Sequence, residues 1–129
     1  DELPAYLSGW DVALMPFAMN ESTQFISPTK TPEYLAGGKP VVSTPVRDVV
    51  RHYGHLQGVQ IACDADSFVR ACDKALELSR DPGGGWLAEA DLLLSSMSWA
   101  TTQARMAGLI ADVLGERAGD SPAMLMAAE

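Results

Sequence analysis

The chain has few of the residues that build disulfide frameworks and metal sites. Two cysteines, Cys63 and Cys72, and two histidines, His52 and His55, occur in 129 residues. The cysteines lack metal-ligand spacing, so we interpret them as small buried hydrophobic residues of a reducing compartment. The histidines lie at a predicted helix end that Gly54 interrupts. We therefore predict a solvated helix terminus there, and no metal site.

Positive charge is also scarce. Nine Lys and Arg against 17 Asp and Glu give a formal net charge of -8. We therefore expect no nucleic-acid partner and no anionic membrane surface as the main partner. An acidic chain can still bind a phosphate, but only through a local device such as a helix N-terminus. No apolar run approaches the roughly 18 residues of a transmembrane helix. We expect a cytoplasmic location, which includes the inner face of the membrane.

Apolar residues, by contrast, are plentiful enough for a core. They make up 47% of the chain, and the length suits one domain better than two. Three short apolar runs are nearly continuous rather than alternating, which is typical of strands covered on both faces in a parallel sheet. These predicted strands are residues 11–17, 40–44 and 58–63.

A helix-like segment follows each predicted strand. The first covers residues 28–37, the second has Thr44 as its expected N-cap with Pro45 at the first position, and the third has Asp66 as its expected N-cap. Strands that alternate with helices predict an α/β fold. We expect a Rossmann-like parallel sheet with flanking helices on both faces.

The domain organisation follows from the flanks of this alternating region. We treat residues 1–129 as a single domain with a core at about residues 3–80, C-terminal helices at 86–116 and a tail at 117–129. Three strands are few for this class, in which about five or six are usual. We therefore expect a partial sheet, completed upstream or by another copy. Its exposed edge is a place where a homo-oligomer would form.

The most informative polar segment runs from Ser27 to Glu33. It lies beyond the carboxyl end of the first predicted strand, where ligands bind in open parallel sheets. Two helix starts are compatible with it: Ser27 as N-cap, or Thr31 as N-cap with Pro32 first. With the first start, the free N–H groups of Thr29 and Lys30 face the crevice and favour a phosphate, to which Lys30 adds a full charge.

Glu33 follows Lys30 by one helical turn and shares its face. A carboxylate in this place cannot help to bind phosphate, but it can accept two hydrogen bonds from the vicinal hydroxyls of a ribose. Phosphate donors beside a ribose acceptor describe a nucleotide site. The residues alone leave one alternative open, a solvated Lys–Glu pair that contributes little to stability.

Two stretches, "DVALMPF" and "SPTKTPEYLAGGKPVVSTPVRDVV", resemble the C-terminal, donor-binding half of GT-B fold glycosyltransferases, in particular the large retaining group (group 1). The resemblance runs from about Leu3 to Met106. Of two glutamates in that family's pattern, the ribose-binding one falls on Glu33. The other, which contacts the sugar, falls on Phe25, so this chain departs from the pattern there. The residues that would replace it are Glu21, Thr23 and Gln24.

The resemblance implies a glycosyltransferase that uses a nucleoside diphosphate sugar, such as a UDP-sugar, with no other cofactor. It implies that Glu33 holds the ribose and that Lys30 and Thr29 hold the diphosphate, with Ser27 and Thr23 nearby. It also implies a missing N-terminal acceptor domain, without which the isolated chain is inactive. Two alternatives stay open: a non-catalytic interaction module that kept the fold, and a sugar-nucleotide epimerase of the same two-domain plan.

Overall fold

A computed structural model describes residues 2–81 and 83–119, so the predicted tail from residue 120 onward lies outside the described residues. Helices and strands alternate through the first part of the chain, as the apolar pattern predicts. Two further helices follow. The elements are α1 (Leu3–Ser8), β1 (Ala13–Met15), α2 (Lys30–Ala36), β2 (Val41–Ser43), α3 (Arg47–Tyr53), β3 (Val59–Ile61), α4 (Ala65–Arg80), α5 (Trp86–Ser95) and α6 (Trp99–Gly119).

The three strands form one parallel sheet in the order β1-β2-β3. Ala13 pairs with Val41, and Val41 with Val59, so equivalent positions of the three strands lie side by side. Each strand lies inside one of the predicted apolar runs but has only three residues. The predicted α/β class, with a parallel sheet flanked by helices, is confirmed.

Helices cover both faces of the sheet at β2. Val41 belongs to the main core, together with Leu35 of α2 and Val49 of α3. Val42 points to the opposite face and is still fully buried, because α4 packs against β2 and β3. Leu14 occupies the equivalent position of β1 and is 53% exposed. The second layer therefore ends before β1.

Two predicted N-caps are each wrong by two residues. Helix α3 begins at Arg47, because the Thr44 hydroxyl donates to the Phe17 carbonyl oxygen (2.9 Å) and holds the end of β1 instead of capping a helix. Helix α4 begins at Ala65 with Asp64, not Asp66, as its N-cap. Asp64 and Ser67 exchange side-chain and backbone hydrogen bonds in a capping box.

Helix α5 belongs to the core of the first part of the chain. Trp86 is 1% exposed and its indole N–H donates to the Leu78 carbonyl oxygen (3.1 Å), while Ala90 is fully buried. The chain divides into two compact units, the first ending at Ser95 and the second beginning at Ser96. The second unit contains α6, a single helix of 21 residues.

The cysteines differ from the sequence-based interpretation in one respect. Both are free, and Cys72 is half-buried on α4, but Cys63 is exposed. Cys63 lies just after β3, where the chain leaves the sheet and enters the α4 cap, so its side chain reaches solvent instead of the core.

Candidate functional site

A cleft of about 410 Å³ opens at the carboxyl end of β1. We call it the Lys30 cleft. The volume lies within the range of about 300–1,000 Å³ that is usual for small-ligand sites. Its position beyond a parallel strand is where open α/β sheets bind ligands. The lining residues are Leu14, Met15, Pro16, Phe17, Ser27, Pro28, Thr29, Lys30 and Tyr34.

The start of α2 differs from both predicted starts. Helix α2 begins at Lys30 with Thr29 as N-cap, and the Thr29 hydroxyl makes no capping hydrogen bond. Pro32 is therefore the third helical residue, where the N–H would have no partner inside the helix anyway. The proline costs no hydrogen bond in this position. The first-turn N–H groups that remain free of helical partners are those of Thr29, Lys30 and Thr31.

Buried residues of α2 hold this helix start against the sheet. Thr31 and Leu35 lie one turn apart, are 0% and 1% exposed, and form the inner face of α2. The Thr31 hydroxyl also lies 3.5 Å from the Met15 sulfur of β1. This packing fixes the outer face of the helix, which carries Lys30 and Glu33.

Lys30 and Glu33 form an ion pair on that outer face. Lys30 Nζ lies 2.8 Å from Glu33 Oε2, and the side chains are 53% and 45% exposed. The hydrogen bond and the charge of Glu33 raise the pKa of Lys30 above its ordinary value. Lys30 is therefore a full cation at the mouth of the cleft. Glu33 does not line the cleft itself but is joined to it through Lys30.

Thr23 lies outside the Lys30 cleft, in a turn of the loop after β1. Its hydroxyl donates to the Ala18 carbonyl oxygen and accepts from the Asn20 N–H (3.1 Å). Asn20 in turn accepts from the backbone N–H groups of Ser22 and Thr23. These hydrogen bonds shape the loop that leads to Ser27. Of the five candidate residues, the structure thus brings Ser27, Thr29 and Lys30 into the cleft.

A second cleft, of about 380 Å³, lies beside the first and also at the carboxyl ends of the strands. We call it the Phe68 cleft. It shares Pro16 and Phe17 with the Lys30 cleft. The sequence interpretation missed it, because its walls come from three separate segments that only the fold brings together. The lining residues are Pro16, Phe17, Met19, Thr44, Cys63, Asp64, Ala65 and Phe68.

The charged residues that follow β2 lie outside both clefts. Arg47 and Asp48, which follow β2, line neither of them. Within residues 2–81 and 83–119 no group of three or more His, Cys, Asp or Glu side chains is arranged to hold a metal ion. In the same ranges, no helix combines the length and apolarity that crossing a membrane requires.

The fold and the clefts define an α/β chain with a ligand-sized site at the end of its first strand. The chain is 31% identical over 85 residues to a protein of Bacillus subtilis (strain 168) named "Putative teichuronic acid biosynthesis glycosyltransferase TuaH". The similar segment covers 62% of this chain and 20% of that protein, so the chain spans about a fifth of its relative. No family model and no solved structure matches the chain. This similarity supports a relation to glycosyltransferases.

Proposed function

We propose that this chain is the nucleotide-sugar-binding part of a glycosyltransferase that uses a nucleoside diphosphate sugar. The observation that carries the proposal is the Lys30–Glu33 pair at the mouth of a ligand-sized cleft beyond β1, in a chain similar to a glycosyltransferase. Lys30 and the N–H groups at Thr29 hold the diphosphate, with Ser27 beside them. Glu33 accepts the ribose hydroxyls, and Thr23 shapes the loop above.

Lys30 is the main attraction for the diphosphate. Helix α2 has only seven residues, so its dipole is a minor contribution beside a whole cation. The raised pKa of Lys30 keeps that cation charged across neutral pH. Its partner Glu33 repels phosphate, however, and must turn from Lys30 toward a neutral diol when the ligand binds. The site therefore distinguishes a ribose-bearing diphosphate from a bare one.

The proposal is tested by binding measurements with nucleoside diphosphates and inorganic pyrophosphate on two variants. UDP, GDP and ADP are titrated first, with amide chemical shifts at residues 27–33 as readout. Lys30→Ala weakens both the nucleotide and inorganic pyrophosphate by roughly tenfold or more, because it removes a charged hydrogen-bond donor. Glu33→Ala weakens the nucleotide by a similar factor. Pyrophosphate binding is kept or strengthened in this variant, because Lys30 is freed.

Lys74 and Glu77 supply the matched control. They have the same spacing, are exposed on α4 and line neither cleft. Lys74→Ala and Glu77→Ala are expected to leave both affinities unchanged. Saturable binding that survives Lys30→Ala and Glu33→Ala contradicts the proposal, as does an absence of shifts at millimolar nucleotide. Either result favours the solvated Lys–Glu pair.

The activity of a whole enzyme is a further part of the proposal. We infer that transfer requires an acceptor domain outside this chain, so the chain binds its donor without transferring sugar. An epimerase of the same two-domain plan would bind the same donor. Product analysis of the complete protein with a nucleotide sugar distinguishes them: a transferase releases nucleoside diphosphate, whereas an epimerase returns an isomeric nucleotide sugar.

A further inference from the structure

The Phe68 cleft has no role in holding ribose or diphosphate. None of its lining residues is Lys or Arg, and Asp64 adds a negative charge. Hydrogen bonds from the Ser67 backbone N–H and hydroxyl lower the pKa of Asp64, so this charge persists at neutral pH. The cleft therefore offers a phosphate no cationic side chain, and a neutral group suits it better.

The lining of the Phe68 cleft is mainly apolar. Phe17 and Phe68 are half-buried, and Met19 is 50% exposed. Two of the polar side chains already have a hydrogen-bond partner: the Thr44 hydroxyl donates to the Phe17 carbonyl oxygen (2.9 Å), and Asp64 Oδ1 accepts from the Ser67 N–H (2.8 Å). A hydroxyl-rich ligand would find few partners on this surface, whereas an apolar substituent would gain contact.

The position of the cleft follows the order of groups in a nucleotide sugar. Pro16 and Phe17 form the shared wall between the Phe68 cleft and the Lys30 cleft. With the ribose at Glu33 and the diphosphate at Lys30, the next group along the ligand crosses this wall. In a nucleoside diphosphate sugar, that group is the sugar.

We propose that the Phe68 cleft is a subsite for the transferred sugar and that it selects a sugar bearing a methyl group over a fully hydroxylated hexose. An acetamido group and a 6-deoxy carbon both supply this methyl. The inference rests on the proposed function, since it needs the diphosphate at Lys30. Burial of one methyl group is expected to tighten binding about fourfold.

The test measures dissociation constants for a matched ligand series. The nucleoside diphosphate that binds best is compared with its glucose, N-acetylglucosamine and 6-deoxyhexose conjugates on the same base. At least one methyl-bearing conjugate is expected to bind about fourfold more tightly than the glucose conjugate. If the acetamido conjugate alone gains affinity, the cleft binds the acetamido methyl group; if the 6-deoxy conjugate alone gains affinity, the cleft binds the C6 methyl group.

Variants assign the preference to the cleft. Phe68→Ser is expected to abolish the preference and to leave the affinity for the free nucleoside diphosphate unchanged. Met19→Ser serves as a second variant because Met19 is 50% exposed, so its replacement is compatible with folding. Val69→Ser is the control, as Val69 is exposed on α4 and lies outside the cleft.

Three results would overturn the inference. The glucose conjugate binds as tightly as the others, or the preference survives both cleft variants, or no nucleotide binds. The first two leave the nucleotide site intact, provided that binding still depends on Lys30 and Glu33. If no nucleotide binds, both the proposed function and this inference fail. Failure of the inference alone is therefore distinguishable from failure of the proposed function.

Discussion

At the scale of single residues, Lys30 and Glu33 form an exposed ion pair that adds little to the stability of the fold. Both side chains are about half exposed, and their contact at 2.8 Å joins two flexible chains in water. Pairs of this kind contribute little to folding. The pair does, however, keep a cation and an anion together at the mouth of the Lys30 cleft, and the proposed function requires them to separate when the ligand binds.

Asp64 is the residue whose ionisation is most clearly coupled to folding. Hydrogen bonds from Ser67 lower its pKa below the ordinary carboxyl value of 3.8. Because the folded chain binds this proton less readily than the unfolded chain, the ionised cap stabilises the fold above the ordinary pKa. That contribution is lost as the pH falls through the lowered pKa of Asp64.

We predict that Asp64→Asn reduces the acid dependence of stability. Asparagine is also a good N-cap but does not titrate. Urea unfolding at a series of pH values from about 6 to about 2.5 compares the two chains. The wild type is expected to be more stable at the upper end, and the difference shrinks toward the lower end. Asp66→Asn is the control, since Asp66 is not the cap; equal behaviour of the two variants contradicts the prediction.

The capping residues also show where sequence reasoning is limited. Asp64 and Asp66 are both acidic residues ahead of an apolar helix, so local preference does not distinguish them. Ser67 does, because it completes a capping box with Asp64 only. Thr44 satisfies the same local preference, but its hydroxyl donates to the carbonyl oxygen of Phe17, which is distant in sequence. Such a competing partner is visible only in the fold.

At the scale of elements, the short helix α2 depends on packing more than on its own hydrogen bonds. It has seven residues, whereas isolated helices shorter than about 12–15 residues are marginal in water. Thr31 and Leu35 hold it against the core. The apolar pattern predicts the three strands and this helix, because the spacing of apolar residues along the chain follows the positions that face the core. It did not predict the clefts, whose walls join segments that are far apart in the chain.

Gly58, just before β3, allows α5 to reach the core. A Cβ at this position would lie 2.6 Å from Cε3 of Trp86 and 3.5 Å from Cδ2 of Leu35. Both side chains are fully buried and have no room to withdraw. We predict that Gly58→Ala lowers the free energy of unfolding by about 1–3 kcal/mol, as overpacked cores do. Chemical denaturation measures this change.

Gly9→Ala provides the comparison for Gly58→Ala. Gly9 follows α1 with an ordinary φ of -78°, and a Cβ there would meet Tyr6 O at 3.5 Å, which is normal van der Waals contact. The expected change is within about 0.5 kcal/mol. If Gly58→Ala is equally mild, Trp86 is less firmly held than its burial indicates, and the close approach of α5 to β3 is not required.

At the scale of the whole molecule, the sheet of the described residues has two edge strands, β1 and β3. Helices bury both faces of β2, but Leu14 of β1 is 53% exposed and the outer edge of β1 has no strand neighbour within the described residues. The small number of strands predicts an exposed edge. The sequence does not indicate which strand carries exposed apolar surface at an edge, because strand order depends on long-range pairing. The segment similar to the Bacillus subtilis protein covers about a fifth of that relative.

We predict that the open β1 edge makes the isolated chain associate with itself. Unpaired edges offer backbone groups to another strand, and Leu14 adds apolar surface. The net charge of -8 opposes this contact, so association is expected to strengthen as salt screens the repulsion. Sedimentation velocity at increasing protein concentration, in low and high salt, measures this association.

Leu14→Lys is expected to shift the chain toward monomer, because it places a charge on the open edge. Val69→Lys introduces the same charge on the exposed surface of α4 and is expected to leave the association unchanged. A wild-type chain that stays monomeric in high salt would contradict the prediction.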